Sequence, residues 1–196
     1  MKRIILIITI FIGITNIAFA QGYRGFVETG AIINFRLGGI KMDIGGETFD
    51  LGSEKFTDKG GFSIHTSHGH QFSPHIFFGG GIGIDYMAAG RCVKLPIFAD
   101  FRSYFLDKST TPFLGVKLGY ALGGKYSEKI NPGFYFNPTF GVSFQVGKRV
   151  YMNTALGYNL IQELSAGYYY DEYGYEYDVN VKCVAHGLSL RLGVEF

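Results

Sequence analysis

Apolar and polar side chains alternate one by one along most of the chain, which is the pattern of β-strands with two unlike faces. The segment 184–196 shows the pattern most clearly. Its apolar face consists of Val184, His186, Leu188, Leu190, Leu192, Val194 and Phe196. The same alternation recurs in the earlier segments 23–36, 62–72, 75–86, 93–105, 113–122, 134–146 and 150–162. The sequence therefore predicts eight strands, each about as long as a tilted strand in a membrane needs to be.

The connections between these strands also alternate in length. Short turns are expected at 73–75, 107–111 and 147–149. The other connections are mostly longer and cover 37–61, 87–92, 123–133 and 163–181. Short turns at one rim and long loops at the other are typical of outer-membrane barrels, whose long loops lie outside the cell. The predicted fold is an all-β, eight-stranded antiparallel up-and-down transmembrane β-barrel with both termini at the periplasmic rim.

The residue types on the two faces indicate which of them meets lipid. The polar face is rich in Gly, Ser and Asn and carries few charges, which suits the narrow interior of an eight-stranded barrel. The apolar face is aliphatic in the middle and aromatic towards both strand ends, as in a bilayer. At the outer rim its predicted aromatic residues are Phe35, Phe62, Tyr86, Tyr120, Phe134 and Tyr158. A soluble, lipocalin-like barrel is the alternative, but it would need charges on its outer face.

The amino-terminal segment 1–20 has the features of a cleaved signal peptide. Two basic residues, Lys2 and Arg3, precede an uncharged run that ends in Ala18-Phe19-Ala20, a small-x-small cleavage pattern. A transmembrane anchor is the alternative, but the run is at the lower length limit for a spanning helix. We expect export and cleavage, which leaves residues 21–196 as one barrel domain.

Composition excludes two classes of protein. The formal net charge of +2 comes from Lys2 and Arg3, so the processed chain is neutral and nucleic-acid binding driven by charge is not expected. Aromatic residues make up 17% of the chain and charged residues 17%, which excludes a disordered protein.

Charged side chains on the polar face are predicted to form an interior charge network. They are Arg24, Glu28, Asp85, Lys94, Asp100, Arg102, Lys117, Arg191 and Glu195. Buried charges need partners. Antiparallel register predicts that Asp100 pairs with Lys117, and a less constrained register at the closing seam predicts the pairs Arg24–Glu195 and Glu28–Arg191. The alternative to this plugged interior is a polar conduction path.

The histidines and cysteines are the remaining candidates for chemistry. His65 and His75 are predicted to point inward, and His68 and His70 outward. A closed metal site needs at least three ligands on one side, so neither a metal nor a cofactor is predicted. Cys92 and Cys183 both fall at outer strand ends, and an oxidising envelope permits a disulfide between them. Their strands would lie on opposite sides of the barrel, which is unfavourable for that bridge.

The last connection, 163–181, is unusually rich in tyrosine. The tyrosines are Tyr168, Tyr169, Tyr170, Tyr173, Tyr175 and Tyr177. Tyrosine offers a large amphipathic contact area, so this loop is a candidate binding surface for an extracellular ligand. Alternatively, the two flanking strands extend beyond the bilayer as a hairpin that turns at residues 173–175. The two interpretations are compatible.

Several motifs resemble those of the small single-domain outer-membrane β-barrels, the OmpA/OmpX-like proteins of the type found in Bacteroides. They lie at 66–74, 78–83, 95–102 and 112–115, with the last strand ending in Phe196. The resemblance implies an outer-membrane location, with membrane lipids and the barrel-insertion machinery as partners. The insertion signal that it implies consists of Leu190, Leu192, Val194 and Phe196. Arg191 departs from the Gly that is common in that signal.

Two functions from different classes fit such a barrel. The first is a non-enzymatic structural or surface-interaction role through the extracellular loops. The second is a membrane enzyme that modifies lipid A, which needs His with Ser and a carboxylate near the outer leaflet. His186 is the outward histidine at that level, but no lipid-facing Ser accompanies it and Thr154 lies lower. We therefore predict that the protein is not an enzyme, with a narrow pore as a further alternative.

Overall fold

The computed structural model describes residues 22–55, 60–88, 92–123, 132–170 and 175–196. The predicted signal peptide lies outside them. The strands are β1 (Tyr23–Ile44), β2 (Glu47–Glu54), β3 (Gly60–Ser73), β4 (Ile76–Met87), β5 (Cys92–Tyr104), β6 (Thr110–Leu122), β7 (Gly133–Gln145), β8 (Tyr151–Tyr170) and β9 (Glu176–Glu195). No helix in these ranges is long and apolar enough to cross a bilayer.

Eight of these strands form a closed antiparallel ring in the order β1-β3-β4-β5-β6-β7-β8-β9. The ring closes because β1 also pairs with β9, with Phe26 opposite Glu195 and Ile33 opposite Leu188. The predicted eight-stranded up-and-down barrel is therefore confirmed. We call the rim with the connections 74–75, 105–109 and 146–150 the short-turn rim, and the opposite one the long-loop rim.

The ninth strand corrects the prediction for the connection 37–61, because its part from Leu37 to Glu54 is a hairpin rather than a loop. β1 continues to Ile44, and β2 returns beside it with Ile44 opposite Glu47. The turn between them is Gly45-Gly46, with φ of 58° and 92°. Positive φ at both central residues defines the tight turn that best matches strand twist, and glycine adopts it without strain. The Gly-Gly pair between two short alternating runs was the signal for this hairpin, but nearby glycines obscured the alternation.

The strands β8 and β9 also extend past the long-loop rim and pair with each other there. This pairing agrees with the second interpretation of 163–181, in which the two flanking strands continue as a hairpin. Their pairing continues to Tyr170 opposite Glu176. Residues 179–182 of β9 pair with β1 as well as with β8, so β2, β1, β9 and β8 lie side by side. We call these four strand segments, 37–44, 47–54, 163–170 and 176–182, the extension.

Side chains alternate between a buried lumen and an exposed outer surface. The outer surface is aliphatic at mid-height, where exposed side chains include Ile33, Ile82, Ile97, Leu156, Leu188, Leu190 and Leu192. Polar and charged residues are buried in the lumen instead, among them Asp100, Arg102 and Lys117. This arrangement is the reverse of that in a water-soluble protein.

Close approach of β5 and β6 requires glycine at position 119. Gly119 lies opposite Phe98, and a Cβ on it would lie 2.0 Å from the carbonyl oxygen of Ile97. We expect Gly119→Ala to lower the free energy of unfolding by about 1–3 kcal/mol, because β5 must shift to make room. The shift of the urea midpoint measures this loss. Gly80→Ala is the matched control, since the nearest atom would be 3.8 Å away, and equal losses in both variants would contradict the explanation.

Candidate functional site

All nine residues of the predicted interior charge network lie on inward faces of the ring. Eight are buried: Glu28, Asp85, Lys94, Asp100, Arg102, Lys117, Arg191 and Glu195. The ninth, Arg24, lies at the short-turn rim with 26% of its side chain exposed. The interior is therefore filled by charge rather than by apolar side chains alone.

Glu28 of β1 is the centre of this network. Lys117 on β6 donates a hydrogen bond to it at 2.5 Å, and the Arg102 guanidinium on β5 lies 3.1 Å from its other carboxylate oxygen. Arg102 also donates to Asp100 at 2.8 Å. Asp100 is indeed opposite Lys117, as predicted. The ion pair predicted between them is absent from the described contacts, because Lys117 reaches across the narrow lumen to Glu28 instead.

The predicted register at the closing seam is wrong by two residues. Glu195 is opposite Phe26 rather than Arg24, and Arg191 is opposite Gly30 rather than Glu28. No turn joins β1 to β9, so nothing local determined this register. Arg24 still forms an ion pair with Glu195, because its long side chain reaches diagonally.

The predicted pair Glu28–Arg191 is not among the ion pairs of the described residues. Arg191 donates a hydrogen bond to the Asn137 side-chain oxygen, and another at 3.3 Å to that of Asn159. Asn137 in turn donates to Asn159. Uncharged amides therefore hold this guanidinium on the β7–β8 side of the lumen.

A buried His65–Asp85 pair was not predicted from the sequence. Its Nε2–Oδ1 distance is 2.8 Å, and His65 Nδ1 lies 3.2 Å from Lys117 Nζ. Gly83 makes room for the ring, because a Cβ there would lie 2.1 Å from it. The register set by the short turn after β3 could have revealed this diagonal pair. Both side chains are fully buried, so the pair cannot meet a substrate and serves to fill the lumen.

Two apolar clusters lie in the lumen above and below the charges around Glu28. The cluster towards the long-loop rim consists of Met87, Phe98, Ala121, Tyr135 and Ile161. The cluster towards the short-turn rim consists of Phe26, Phe77, Tyr104, Phe113 and Ala155. The Arg102 guanidinium stacks 3.8 Å from the ring centroid of Phe26, which joins the charges to the second cluster. Side chains therefore plug the interior at three levels.

The short-turn rim holds an open basin of about 880 Å³. Arg24 and Tyr104 line it, together with Lys108 and Arg149 from two turns. The Tyr104 hydroxyl donates to Glu195 at 3.3 Å, so the basin ends on the charged plug.

Three further histidines, His68, His70 and His75, lie at the surface of the barrel. His68 points outward, with Nδ1 2.6 Å from the Tyr23 hydroxyl and Nε2 2.9 Å from that of Thr66. The His70 ring packs edge-on against Phe72 at 4.8 Å. His75 lies in a turn with Nδ1 2.9 Å from the Tyr104 carbonyl oxygen. Across the described ranges, no three potential metal ligands lie together.

The outward side of the long-loop rim carries His186. Its Nδ1 lies 2.5 Å from the Tyr158 hydroxyl, and its cross-strand neighbours are Leu160 and Arg36. Thr154 lies opposite Leu192, lower on the same surface. These contacts include no serine, cysteine or carboxylate beside the histidine.

Two predicted features are only partly described. Of the tyrosines in 163–181, Tyr175 has 68% of its side chain exposed, and the side chains of Tyr168, Tyr169, Tyr170, Tyr173 and Tyr177 lie outside the described part. The Cys92 side chain does too, so its bridge to Cys183 stays a prediction. Their strands, β5 and β9, are on opposite sides of the ring. The four residues of the predicted insertion signal are all described, and they point outward and are exposed: Leu190, Leu192, Val194 and Phe196.

Two solved structures show the same ring of strands. The crystal structure of Neisserial surface protein A has a TM-score of 0.54 at 20% identity, over 88% of this chain and 96% of that protein. The structure of the outer membrane protein OprG from Pseudomonas aeruginosa has a TM-score of 0.55 at 11% identity, over 89% and 96%. The fold is that of a small outer-membrane barrel. No protein-family model matches the chain, and no curated protein sequence matches it.

Proposed function

We propose that the chain is an integral barrel of the bacterial outer membrane, OmpA/OmpX-like in type, with a structural or surface-interaction role and no catalytic activity. The observation that supports this most strongly is the reversed arrangement of side chains. Leu156, for example, is 63% exposed on the outer surface, whereas Glu28 and Arg102 are buried in the lumen. Hydrocarbon tails solvate such a surface well and water does not.

The extension is the part that would meet other molecules outside the cell. On β2 it exposes Phe49 and Leu51, and Tyr175 is exposed near the end of the other hairpin. β2 is also an edge strand whose outer side has no neighbour among the described strands. Exposed aromatic and aliphatic side chains beside a sheet edge favour contact with a ligand or partner protein.

Membrane insertion is tested by the migration of the membrane-extracted protein on a gel before and after boiling. A closed barrel stays folded in detergent and migrates differently from the boiled chain. Identical migration, with the processed protein recovered from the periplasm in soluble form, would contradict the proposal.

Orientation is tested with an epitope inserted into either of two turns. A tag between Gly45 and Gly46 is expected to bind antibody on intact cells, because this turn ends the extension. A tag in the 147–149 turn is the matched control and should bind antibody only after the cells are permeabilised. The reverse result would place the extension in the periplasm.

The plugged interior predicts that the purified protein forms no stable channel. The charges around Glu28 and the two apolar clusters fill the lumen, so planar bilayers should show no large, stable current steps. A porin added to the same bilayers serves as the positive control. Reproducible steps from this protein would favour the narrow-pore alternative.

The absence of catalysis is proposed from the surroundings of His186, whose described contacts lack the serine and the carboxylate that the lipid A-modifying reaction needs. Mass spectrometry of lipid A from cells with and without the gene should show the same acyl chains. A gene-dependent change in those chains would support the lipid A-modifying enzyme instead.

A further inference from the structure

Arg191 differs from the other cations of the interior charge network, because its described hydrogen bonds lead only to uncharged groups. The network contains five cations and four carboxylates, with Arg24 at the rim included. The other four cations each have a carboxylate beside them, either in an ion pair or directly opposite on the next strand: Arg24 with Glu195, Arg102 with Asp100, Lys117 with Glu28, and Lys94 opposite Asp85. Among the described ion pairs, the positive charge of Arg191 therefore has no carboxylate to balance it.

The Arg191 guanidinium is also fully removed from solvent, with 1% of the residue exposed. Its two terminal nitrogens donate to the side-chain oxygens of Asn137 and Asn159, and one of them lies 3.4 Å from the Tyr135 hydroxyl. Its third nitrogen, Nε, has no hydrogen-bond partner. The neutral partners satisfy hydrogen bonds but supply no negative charge, and a buried charge without a counter-charge is costly.

Three other polar side chains on this side of the lumen also have unpartnered atoms. They are Asn34 with its Nδ2, Asn159 with its Nδ2 and Ser189 with its Oγ. Each of these residues is at most 2% exposed. An amide nitrogen can only donate a hydrogen bond, and a hydroxyl can donate one. Together with Arg191 Nε, four buried groups can thus donate to a common acceptor, whereas buried polar groups in proteins are seldom left unpaired.

The strands β1, β9 and β8 bring these groups together around Gly187. This glycine on β9 is directly opposite Asn34 on β1 and directly opposite Asn159 on β8. A Cβ on Gly187 would lie 2.6 Å from Asn34 Oδ1, so the Asn34 side chain leans over the space that the glycine leaves. Ser189 and Arg191 follow on the same inward face of β9.

The Arg191 guanidinium extends towards this position, because it bonds to Asn137 and Asn159 rather than to its own cross-strand neighbours. The Ser189 hydroxyl lies on the same side. A Cβ on Gly157 would lie 2.7 Å from Ser189 Oγ and 2.9 Å from Asn137 Nδ2. The unpartnered donors of β1, β8 and β9 therefore lie around one region of the lumen, next to the uncompensated guanidinium.

We propose that Arg191, Asn34, Asn159 and Ser189 bind a small monovalent anion such as chloride inside the lumen. The anion supplies the missing negative charge and accepts hydrogen bonds from the unpartnered donors. A singly charged ion leaves the network neutral, whereas a doubly charged ion would introduce a new uncompensated charge. Water would satisfy the donors but not the charge. The ion is held within the plug and is not conducted, so the site is compatible with a closed interior.

The site is tested with the purified protein in detergent micelles, unfolded in urea and refolded in sodium chloride, sodium bromide or sodium gluconate at equal ionic strength. Gluconate is too large for the buried site, so it controls for the screening of charges by salt. Chloride at about 100 times its dissociation constant would stabilise the folded state about 100-fold, which should raise the urea midpoint by about 1 M over that in gluconate. Crystals grown in bromide should show an anomalous-scattering peak beside Arg191 Nε.

Asn159→Asp places a fixed negative charge next to Arg191 and so replaces the ion. Its urea midpoint should be the same in chloride and in gluconate, and its crystals should lack the bromide peak. Asn153→Asp is the matched control, because Asn153 is also a buried asparagine on β8 but is not among the described partners of Arg191. This control should keep the dependence on chloride.

Ser189→Ala is a second variant, which removes one donor without changing any charge. It should raise the chloride concentration needed for half of the stabilisation several-fold. The migration of each variant before and after boiling is compared with that of the wild type, so that failure to form a barrel is recognised separately.

Two results would overturn the site. Equal wild-type midpoints in chloride and gluconate, with no bromide peak in the lumen, would indicate that water alone satisfies the donors. A chloride effect as large in Asn159→Asp as in the wild type would indicate that the ion acts elsewhere on the protein.

Discussion

Glu28→Gln is expected to lower the free energy of unfolding by about 3–5 kcal/mol, because it removes the carboxylate that pairs with buried Lys117 and leaves Asp100 as the carboxylate bonded to Arg102. Lys117 lies 2.5 Å and Arg102 3.1 Å from the Glu28 carboxylate. Glutamine has nearly the same volume, so the loss reports on charge rather than on a cavity. Urea titration in detergent micelles, followed by gel migration, measures it.

Two further variants show whether this loss comes from the missing negative charge. In Glu28→Gln/Lys117→Met one cation is removed along with the anion, so part of the lost stability should return. Glu47→Gln is the matched control on the exposed strand β2, with an expected change within about 0.5 kcal/mol. If Glu28→Gln costs no more than the control, the carboxylate does not neutralise the interior.

Leu156→Arg is expected to cost about 2–4 kcal/mol in a bilayer, because it places a charge on the lipid-facing surface near mid-height. Leu156 is flanked there by Phe140 and Leu190 on the neighbouring strands. Refolding yield and urea midpoint in phosphatidylcholine vesicles measure the loss.

Val146→Arg is the control for depth. Val146 is also exposed, but it lies at the short-turn rim, where a charge reaches the interface and should cost no more than about 1 kcal/mol. On a surface in contact with water, both substitutions would change stability by less than about 0.5 kcal/mol. Two small and equal effects would therefore contradict the lipid-facing assignment.

The ring of strands could be predicted from the sequence because each strand has one apolar and one polar face. The alternation in 184–196, for instance, directly indicates which side chains of β9 point outward. The strand β2 escaped prediction because nearby glycines obscure the alternation of its short run, and in the structure all eight of its residues are exposed. There the informative feature was the turn at Gly45-Gly46.

The contacts across the lumen could not be predicted in the same way. Alternation places Glu28, Arg102 and Lys117 inside, but it does not show that side chains on β1, β5 and β6 meet there. Register after a short turn predicts neighbours on adjacent strands, and it correctly places Asp100 opposite Lys117. Which partner a long side chain selects depends on the width of the lumen, which the sequence of one strand does not encode.

The pairing of β1 with β9 has a consequence for biogenesis. The two strands that close the ring are the first and last in the described chain, so their hydrogen bonds form only after every other strand has been made and exported. Until then both strands present unpaired backbone groups that can join other chains. Assembly from such distant segments is slow, which lengthens the time during which these backbone groups can pair with other chains.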